Sequence, residues 1–343
     1  MKCKYLEHQI CIRTTGEYRL CCASMEPSNN ENVRIHTPEE WIKSVVPQNA
    51  RDLLSQDIWP DSCYKCKNEE AIGIRSMRVR PRKYGPGISH LDLRFNNNCN
   101  LRCIMCNPMS SSSIMIEHTE LLTQGIESPW PNFGNDSYNW YTDEKGDFFS
   151  NLSDLKEIYL TGGEPMMVKN LDKFLEKLDS SVMLRFNTNG TLINPKILKE
   201  LKRFKEVNMC FSIDGIGKVN DYIRWGSNWA DIENNINRYS DICLVGVSPT
   251  IQVMNVLYYN DIVEWCDKKN YQVFDNILFS PKWLDIRYSP KKLKDQIKNF
   301  YTGEECDDSS YDLFRKYISI LDKKRSVNIR NFISEVADIY DIT

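Results

Sequence analysis

The chain has 343 residues, with 44 Lys and Arg against 47 Asp and Glu, a formal net charge of −3 and 13 cysteines. This length can bury a sizeable core and is most simply divided into one larger and one smaller domain. The near-neutral charge gives no support for general nucleic-acid binding, and no apolar stretch approaches the ~20 residues of a membrane span. The chain start lacks the apolar region of a signal peptide, and the odd number of cysteines indicates a reducing compartment, so we expect a cytoplasmic protein.

The amino-terminal region, residues 1–86, predicts a small unit made of a β-hairpin and a helix. Residues 13–20 are typical of a hairpin with its turn at Thr15-Gly16, which returns Cys21 to the side of the chain start. Residues 37–41, Thr-Pro-Glu-Glu-Trp, indicate a capped helix start, and the helix leads back toward Cys63-Tyr64-Lys65-Cys66.

A basic connector follows, with Arg75, Arg78, Arg80, Arg82 and Lys83 close together. Such a run is usually a solvated connector. The alternative is that some of these arginines turn toward the mouth of the next domain and hold an anionic substrate or the acidic surroundings of a cluster.

Three cysteines in the run Cys99-x3-Cys103-x2-Cys106 are the most informative feature of the chain. They follow a strand-like alternation at residues 90–95 and precede a helical stretch at 110–122, so the loop lies between a strand and a helix. Three thiolates at this spacing suit the corners of a cubane [4Fe-4S] cluster and leave one iron without a protein ligand. A zinc or structural thiol site is the alternative for a Cys-x2-Cys pair.

Strands and helices alternate through the rest of the chain. Short apolar runs rich in branched or aromatic residues predict strands at 157–161, 183–187, 207–213, 250–256 and 274–279. Helices are predicted at 170–178, 195–204, 230–239 and 261–269. With the strand before the cysteine loop, these make six β/α units and predict an α/β fold, a partial (β/α)6 TIM barrel over residues 87–285. Residues 286–343 predict amphipathic helices that close the barrel.

The cysteine loop and the strand ends after it resemble the radical S-adenosylmethionine (SAM) superfamily. Gly162-Gly163-Glu164-Pro165 looks like the family's GGEP motif, and Asn187-Thr188-Asn189-Gly190 is similar to its TNG segment. Ser212-Ile213-Asp214-Gly215 followed by Arg224 resembles its S-x-D-G segment and a downstream arginine. In isolation the first two strings are ordinary turns and Arg224 is an ordinary surface group.

The resemblance implies a SAM-cleaving [4Fe-4S] cluster on Cys99, Cys103 and Cys106. The other residues that it implies as cofactor contacts are Gly162, Gly163, Glu164 and Pro165 for the amino group, Asn189 near the ribose, and Ser212 and Arg224 for the carboxylate. Met105 departs from the aromatic residue usual in the family, although its thioether can pack against the adenine. The implied chemistry is one-electron cleavage of SAM to a 5'-deoxyadenosyl radical that takes hydrogen from a substrate carbon.

The amino-terminal cysteines resemble the twitch and SPASM domains that bind auxiliary clusters, although twitch domains usually follow the barrel. Cys3 and Gly16-x4-Cys21 match the first half of the pattern, and Cys63-x2-Cys66 supplies the later pair. The resemblance implies a second, auxiliary [4Fe-4S] cluster on Cys3, Cys21, Cys63 and Cys66. Zinc is the alternative metal, and Cys11 or Cys22 lies close enough in sequence to replace Cys3 or Cys21.

These features predict a radical SAM oxidoreductase or modifying enzyme, with a reductant such as flavodoxin or ferredoxin as its partner and no membrane association. Oxidative modification of a peptide or protein is one reaction that fits. A radical dehydrogenase of a sugar or nucleoside, and a non-catalytic metal-binding protein on the same fold, are the alternatives. No residue pattern identifies the substrate or a catalytic acid or base, because the difficult chemistry belongs to the cofactors.

Overall fold

The computed structural model describes residues 1–24, 31–71, 73, 75–79, 83–126, 128–130, 138–150, 152–297, 300 and 307–343. Within them, an eight-stranded sheet forms the centre of an α/β fold. Its strands are β1 Gln9–Ile12, β2 Tyr18–Arg19, β3 His90–Leu93, β4 Glu157–Leu160, β5 Met183–Thr188, β6 Val207–Phe211, β7 Leu244–Val247 and β9 Gln272–Val273. A separate pair joins β8 Thr250–Ile251 to β10 Asn276–Ile277.

Helices connect these strands and follow them. They are α1 Tyr5–His8, α2 Pro38–Lys43, α3 Val45–Ser55, α4 Tyr64–Ala71, α5 Ser112–Thr123, α6 Asp143–Ser150, α7 Leu171–Glu176, α8 Pro195–Leu201, α9 Lys218–Ile223, α10 Trp229–Ser240, α11 Tyr259–Lys269, α12 Lys291–Lys294, α13 Asp308–Arg325 and α14 Ser334–Ile339. The predicted start of α2 is confirmed, since Thr37 and Glu40 form a reciprocal capping box with Pro38 in the first turn.

The strand order is β2-β1-β3-β4-β5-β6-β7-β9, and every neighbouring pair is parallel except β1 and β2. Helices follow the parallel strands, as in a barrel that is left incomplete. The predicted partial TIM-like α/β fold is thus confirmed. All its parallel strands end at one edge, and the loops at that edge hold the candidate site.

The predictions for the last two strands were wrong in their placement. The fifth parallel strand of the barrel series is β7, Leu244–Val247, which the sequence analysis missed. Leu244 is 64% exposed and Gly246 has no side chain, so the apolar alternation that identifies a strand is weak there. The predicted strand at 250–256 is reduced to β8, since residues after it turn through a hydrogen bond from the Gln252 N–H to the Asn255 side chain. The predicted strand at 274–279 is likewise replaced by β9 and β10.

The amino-terminal hairpin extends the barrel sheet. Its predicted turn is confirmed, with Gly16 at φ +84° between β1 and β2. Strand β1 lies parallel to β3, which places Ile10 beside Leu91 and Ile12 beside Leu93. All four side chains are buried in the main hydrophobic core. Sheet and core therefore run across the predicted boundary at residue 86, and the division into domains 1–86, 87–285 and 286–343 stays a prediction.

Alternation along β5 gives the sheet two different faces. Leu184 and Phe186 are fully buried in the main core. Arg185 and Asn187, with Cys210 on β6, line the opposite face, where a cavity of about 1590 Å³ is open to solvent. This face of the sheet therefore borders an open cavity lined by both polar and apolar side chains.

The carboxyl-terminal helices form a second core against the cysteine loop. Phe314, Ile318 and Leu321 of α13 are buried with Ile104 of the loop, which confirms the predicted amphipathic packing. In the segment before β4, Trp140 packs on Phe95 and donates its indole N–H to the Arg94 carbonyl at 2.8 Å. In the described part of the chain, no helix is both long and apolar enough to span a bilayer.

Because the core is continuous across β1 and β3, we expect the amino-terminal hairpin to unfold together with the barrel. Ile12→Ala should lower the free energy of unfolding by about 2–5 kcal/mol, the usual cost of such a buried truncation. Ile35→Ala, at a side chain that is 71% exposed, is the control and should change it by no more than about 0.5 kcal/mol. Urea denaturation followed by circular dichroism and by tryptophan fluorescence tests this. Two separate transitions, with Ile12→Ala moving only one of them, would contradict it.

Candidate active site

The loop between β3 and α5 places three thiols at the edge where the strands end. Cys103 is buried, whereas Cys99 and Cys106 are half-buried. All three line a cavity of about 1340 Å³ that is open to solvent. The loop is fixed to the segment after α9 by two backbone hydrogen bonds of 2.9 Å, from Arg102 N–H to the Trp225 carbonyl and from Ile104 N–H to the Ile223 carbonyl.

Two polar side chains approach the loop sulfurs. Asn189 Nδ2 lies 3.8 Å from Cys99 Sγ, and Arg224 Nη1 lies 3.8 Å from Cys103 Sγ. Burial raises the pKa of the Cys103 thiol to about 12, and the positive charge of Arg224 opposes that rise. N–H donors that face sulfur stabilise the thiolate form, which is the form that binds iron.

The Gly162-Gly163-Glu164-Pro165 turn packs directly against the cysteine loop. The Glu164 N–H donates to the Asn98 carbonyl at 2.6 Å. A Cβ on Gly163 would lie 2.4 Å from that same carbonyl oxygen, and a Cβ on Gly162 would lie 2.6 Å from Arg94 Cβ. Both glycines also have positive φ. These two glycines are predicted to contact the cofactor. In the structure, their lack of a side chain lets the backbone of the cysteine loop and of Arg94 approach the turn.

The Glu164 carboxylate holds the end of the next strand. It is buried and accepts hydrogen bonds from the Thr188 hydroxyl at 2.8 Å, from the Asn189 N–H at 2.7 Å and from the Met166 N–H at 3.0 Å. Burial raises the pKa of this carboxyl, and the three hydrogen bonds oppose the rise. Gly163 lines the large cavity, while Glu164 and Pro165 are buried beneath it. That Glu164 receives the cofactor's amino group stays a prediction.

Arg224 and Ser212 both line the large cavity, as does Met105. Arg224 is 8% exposed, and its Nε lies 2.7 Å from Asp214 Oδ2 in an ion pair where both side chains are buried. The alternative that Arg224 is a solvated surface group was therefore wrong. Asp214 also accepts the Thr250 N–H at 2.7 Å, so this pair joins the end of β6 to β8.

Arg325, at the end of α13, is a site residue that the sequence analysis missed. It donates to the Arg102 carbonyl of the cysteine loop at 2.9 Å and pairs with Glu117 of α5 at 2.8 Å. Both charged side chains are almost fully buried. In the sequence Arg325 follows two lysines at a helix end, which is the usual pattern of a solvated terminus, so no local signal distinguishes it.

The structure also brings the four predicted amino-terminal cysteines together. Cys3, Cys21, Cys63 and Cys66 all line a cavity of about 420 Å³. Cys11 is not among its lining residues and lies in the barrel, beside Asp92 and Arg94. Cys22 also lies outside the lining, with its Sγ 3.9 Å from Met77 Sδ.

Arg78 of the basic connector lines this smaller cavity. It pairs with Glu70, lies over the Trp59 ring and is an electrostatic neighbour of the Cys3 and Cys66 thiols. It is neither a solvated connector residue nor turned to the barrel mouth. Arg80 and Arg82 lie outside the described residues.

In the described ranges, no three His, Cys, Asp or Glu side chains converge as ligands of one metal ion do. The three loop thiols line the large cavity, and the four amino-terminal thiols line the smaller one. Lys65, between Cys63 and Cys66, lines both cavities. One residue, Lys65, therefore borders both cysteine sets.

The fold is a partial barrel in which β3 is followed by a three-cysteine loop and β4 by a glycine turn. This combination defines a class of iron-sulfur enzyme. Residues 93–268, just over half of the chain, match the family model of the Radical SAM superfamily. The chain belongs to this superfamily, as predicted. Membership implies SAM and a [4Fe-4S] cluster as cofactors.

Curated relatives match parts of the chain. An uncharacterized protein of Methanocaldococcus jannaschii is 29% identical over 40% of this chain and 42% of that protein. The GTP 3',8-cyclase of Thermodesulfovibrio yellowstonii is 25% identical over 63% of this chain and 65% of that one. A probable GTP 3',8-cyclase of Archaeoglobus fulgidus is 24% identical over 51% of each. The matched regions thus cover between two fifths and two thirds of these relatives.

Two solved structures align with large parts of this chain at low sequence identity. The structure of anSMEcpe with bound AdoMet aligns with a TM-score of 0.43 at 17% identity, over 69% of this chain and 61% of that one. The structure of Streptococcus suis SuiB bound to the precursor peptide SuiA aligns with a TM-score of 0.42 at 14% identity, over 89% and 56%.

We expect Gly163→Ala to disrupt the loop cluster, because the new Cβ would displace the Asn98 carbonyl. After anaerobic reconstitution the variant should lack the iron of one cubane, about four atoms per chain. Gly125→Ala is the matched control, since Gly125 also has positive φ but its Cβ would meet nothing within 4 Å. Iron analysis and cluster absorbance test this. A Gly163→Ala protein with the iron content and spectrum of the wild type would contradict it.

Proposed function

We propose that this protein is a radical SAM enzyme with two [4Fe-4S] clusters. When bound, the first cluster would supply the electron that cleaves SAM to methionine and a 5'-deoxyadenosyl radical. That radical would take a hydrogen atom from the substrate, and the second cluster would accept one electron from the substrate radical that remains, giving the oxidised product. Cys99, Cys103 and Cys106 would hold the first cluster. Cys3, Cys21, Cys63 and Cys66 would hold the second.

The residues around the loop fit a cluster with SAM. Three thiols line a cavity large enough for a cofactor, and Asn189 and Arg224 direct N–H groups at two of the sulfurs. The same cavity is lined by Ser212 and by the backbone of the Gly163 turn, which offer neutral polar groups to a zwitterionic ligand. Met105 lies beside the cysteines as the thioether proposed to pack on the adenine.

The observation that carries the two-cluster proposal is a separate cavity whose cysteines, among the described residues, are the four of the twitch-like pattern. Four protein thiolates complete a cubane, so no iron would remain for a substrate to chelate. The neighbouring positive charge of Arg78 favours the charged cluster over neutral thiols. Lys65 lines both cavities, which supports a position of the second cluster close enough to the substrate to accept an electron from it.

For the substrate, two classes remain candidates. Oxidative modification of a peptide or protein is the reaction proposed from the resemblance to twitch and SPASM enzymes. A nucleotide is the second candidate, favoured by the sequence similarity to GTP 3',8-cyclases. In either case we propose flavodoxin or ferredoxin as the reductant and the cytoplasm as the compartment, because the clusters are labile to oxygen.

Replacing Cys99, Cys103 and Cys106 together with alanine should abolish 5'-deoxyadenosine formation. The reason is that SAM cleavage requires the cluster on this loop, while the amino-terminal site stays intact. Chromatographic assay of 5'-deoxyadenosine with dithionite as reductant measures it. The control is Cys266→Ala, a buried cysteine of α11 outside both cavities, which should keep wild-type turnover. Continued cleavage by the triple variant would refute the assignment.

Replacing Cys63 and Cys66 with alanine should remove only the second cluster. The wild type should contain about eight irons per chain, as two cubanes require, and the double variant about four. It should still form 5'-deoxyadenosine, because cleavage needs only the loop cluster. Iron and zinc analysis of the anaerobically purified proteins tests this. Zinc in the wild type, or equal iron in both proteins, would indicate a structural site instead.

A further inference from the structure

Lys65 occupies an unusual place between the two cysteine sets. It follows Tyr64 at the start of α4 and lies in the interval of the Cys63-x2-Cys66 pair. Its half-buried side chain lines the small amino-terminal cavity and the large cavity of the cysteine loop. Among the described residues, it is the one contribution of the amino-terminal region to the lining of the large cavity.

The charges of the large cavity are unbalanced. Apart from the thiols, its ionisable lining residues are Lys65 and Arg224, and no Asp or Glu of the described chain lines it. Arg224 is already neutralised by Asp214 at 2.7 Å. No ion pair or hydrogen bond of the Lys65 ammonium occurs among the described residues, so no described side chain neutralises its positive charge.

The neighbouring barrel cavity leaves this imbalance unchanged. The two cavities share Asn187 as a lining residue. Among the described residues that line the barrel cavity, Arg185 is the charged one, and it pairs with Glu157 at 3.0 Å. A cation without a side-chain partner, at a cavity whose described lining has no carboxylate, is the complement of an anion.

We propose that the substrate carries an oxyanionic group, a phosphate or a carboxylate, and that Lys65 binds it. The proposal rests on the function proposed above, because it places the substrate in the cavity of the cysteine loop. Lys65 would then be a specificity-determining residue. The segment that supplies two ligands of the second cluster would also hold the substrate next to that cluster.

Binding of two small anions to the reconstituted, SAM-loaded protein tests this. Inorganic pyrophosphate represents a phosphate source and succinate a carboxylate source, and anaerobic isothermal titration calorimetry measures each. We expect the wild type to bind one of them and Lys65→Ala to bind it about tenfold more weakly or worse, as the loss of a charge-assisted contact predicts. Lys65→Arg should restore most of the affinity. The matched control is Lys67→Ala, an exposed lysine of the same helix that lines neither cavity, and it should bind like the wild type.

Several outcomes would overturn the proposal. The wild type binding neither anion at millimolar concentration is one, and equal binding by Lys65→Ala is another. If SAM affinity falls together with anion affinity, or if the iron content falls, Lys65 serves the cofactor or the fold instead. Formation of 5'-deoxyadenosine by the wild type, measured on the same preparations, separates this failure from that of the proposed function.

Discussion

The structure of the site depends on one backbone contact, the approach of the Gly163 turn to the cysteine loop. No side chain fits between them, and the Glu164 N–H closes the contact with a 2.6 Å hydrogen bond to the Asn98 carbonyl. The Glu164 carboxylate accepts hydrogen bonds from the Thr188 hydroxyl and the Asn189 N–H at the end of β5. Asn189 in turn donates to Asn100 and faces Cys99. Three strand ends are thereby fixed in relation to one another by a short series of hydrogen bonds.

Buried ion pairs fix the loop from its other sides. Arg224 and Asp214 tie Cys103 to the end of β6, and Arg325 and Glu117 tie the Arg102 carbonyl to α13 and α5. Removing one partner of such a pair leaves an uncompensated buried charge, which is far more costly than losing a surface pair. The carboxyl-terminal helices therefore contribute to the geometry of the cysteine loop as well as to the core.

How much the sequence could predict depends on whether the signal was local. Strands β5 and β6 alternate cleanly, and strands β4 to β6 were predicted within about two residues at their ends. Strand β7 was missed because an exposed leucine and a glycine interrupt its pattern. The resemblance to twitch domains implied that Cys3, Cys21, Cys63 and Cys66 belong to one site, and all four line one cavity. The alternation of β1 could also have indicated that Cys11 faces the barrel, since it lies beside Asp92 in register.

Long-range pairings were beyond sequence reasoning. Arg325 pairs with Glu117 across more than two hundred residues, and Lys65 of the amino-terminal region lines the cavity of the cysteine loop. No sequence motif marks the charge of either residue as functional. Both became identifiable only when burial, charge and cavity lining were considered together.

The central claim is that two iron-sulfur clusters bind next to each other, in two cavities that are both lined by Lys65. Electron paramagnetic resonance of the fully reduced protein tests it most directly, with the loop triple-alanine variant and the Cys63→Ala/Cys66→Ala variant as single-cluster references. We predict a wild-type spectrum broadened by spin coupling and different from the sum of the two reference spectra. A wild-type spectrum equal to that sum, or a signal from one cluster alone, would contradict the account.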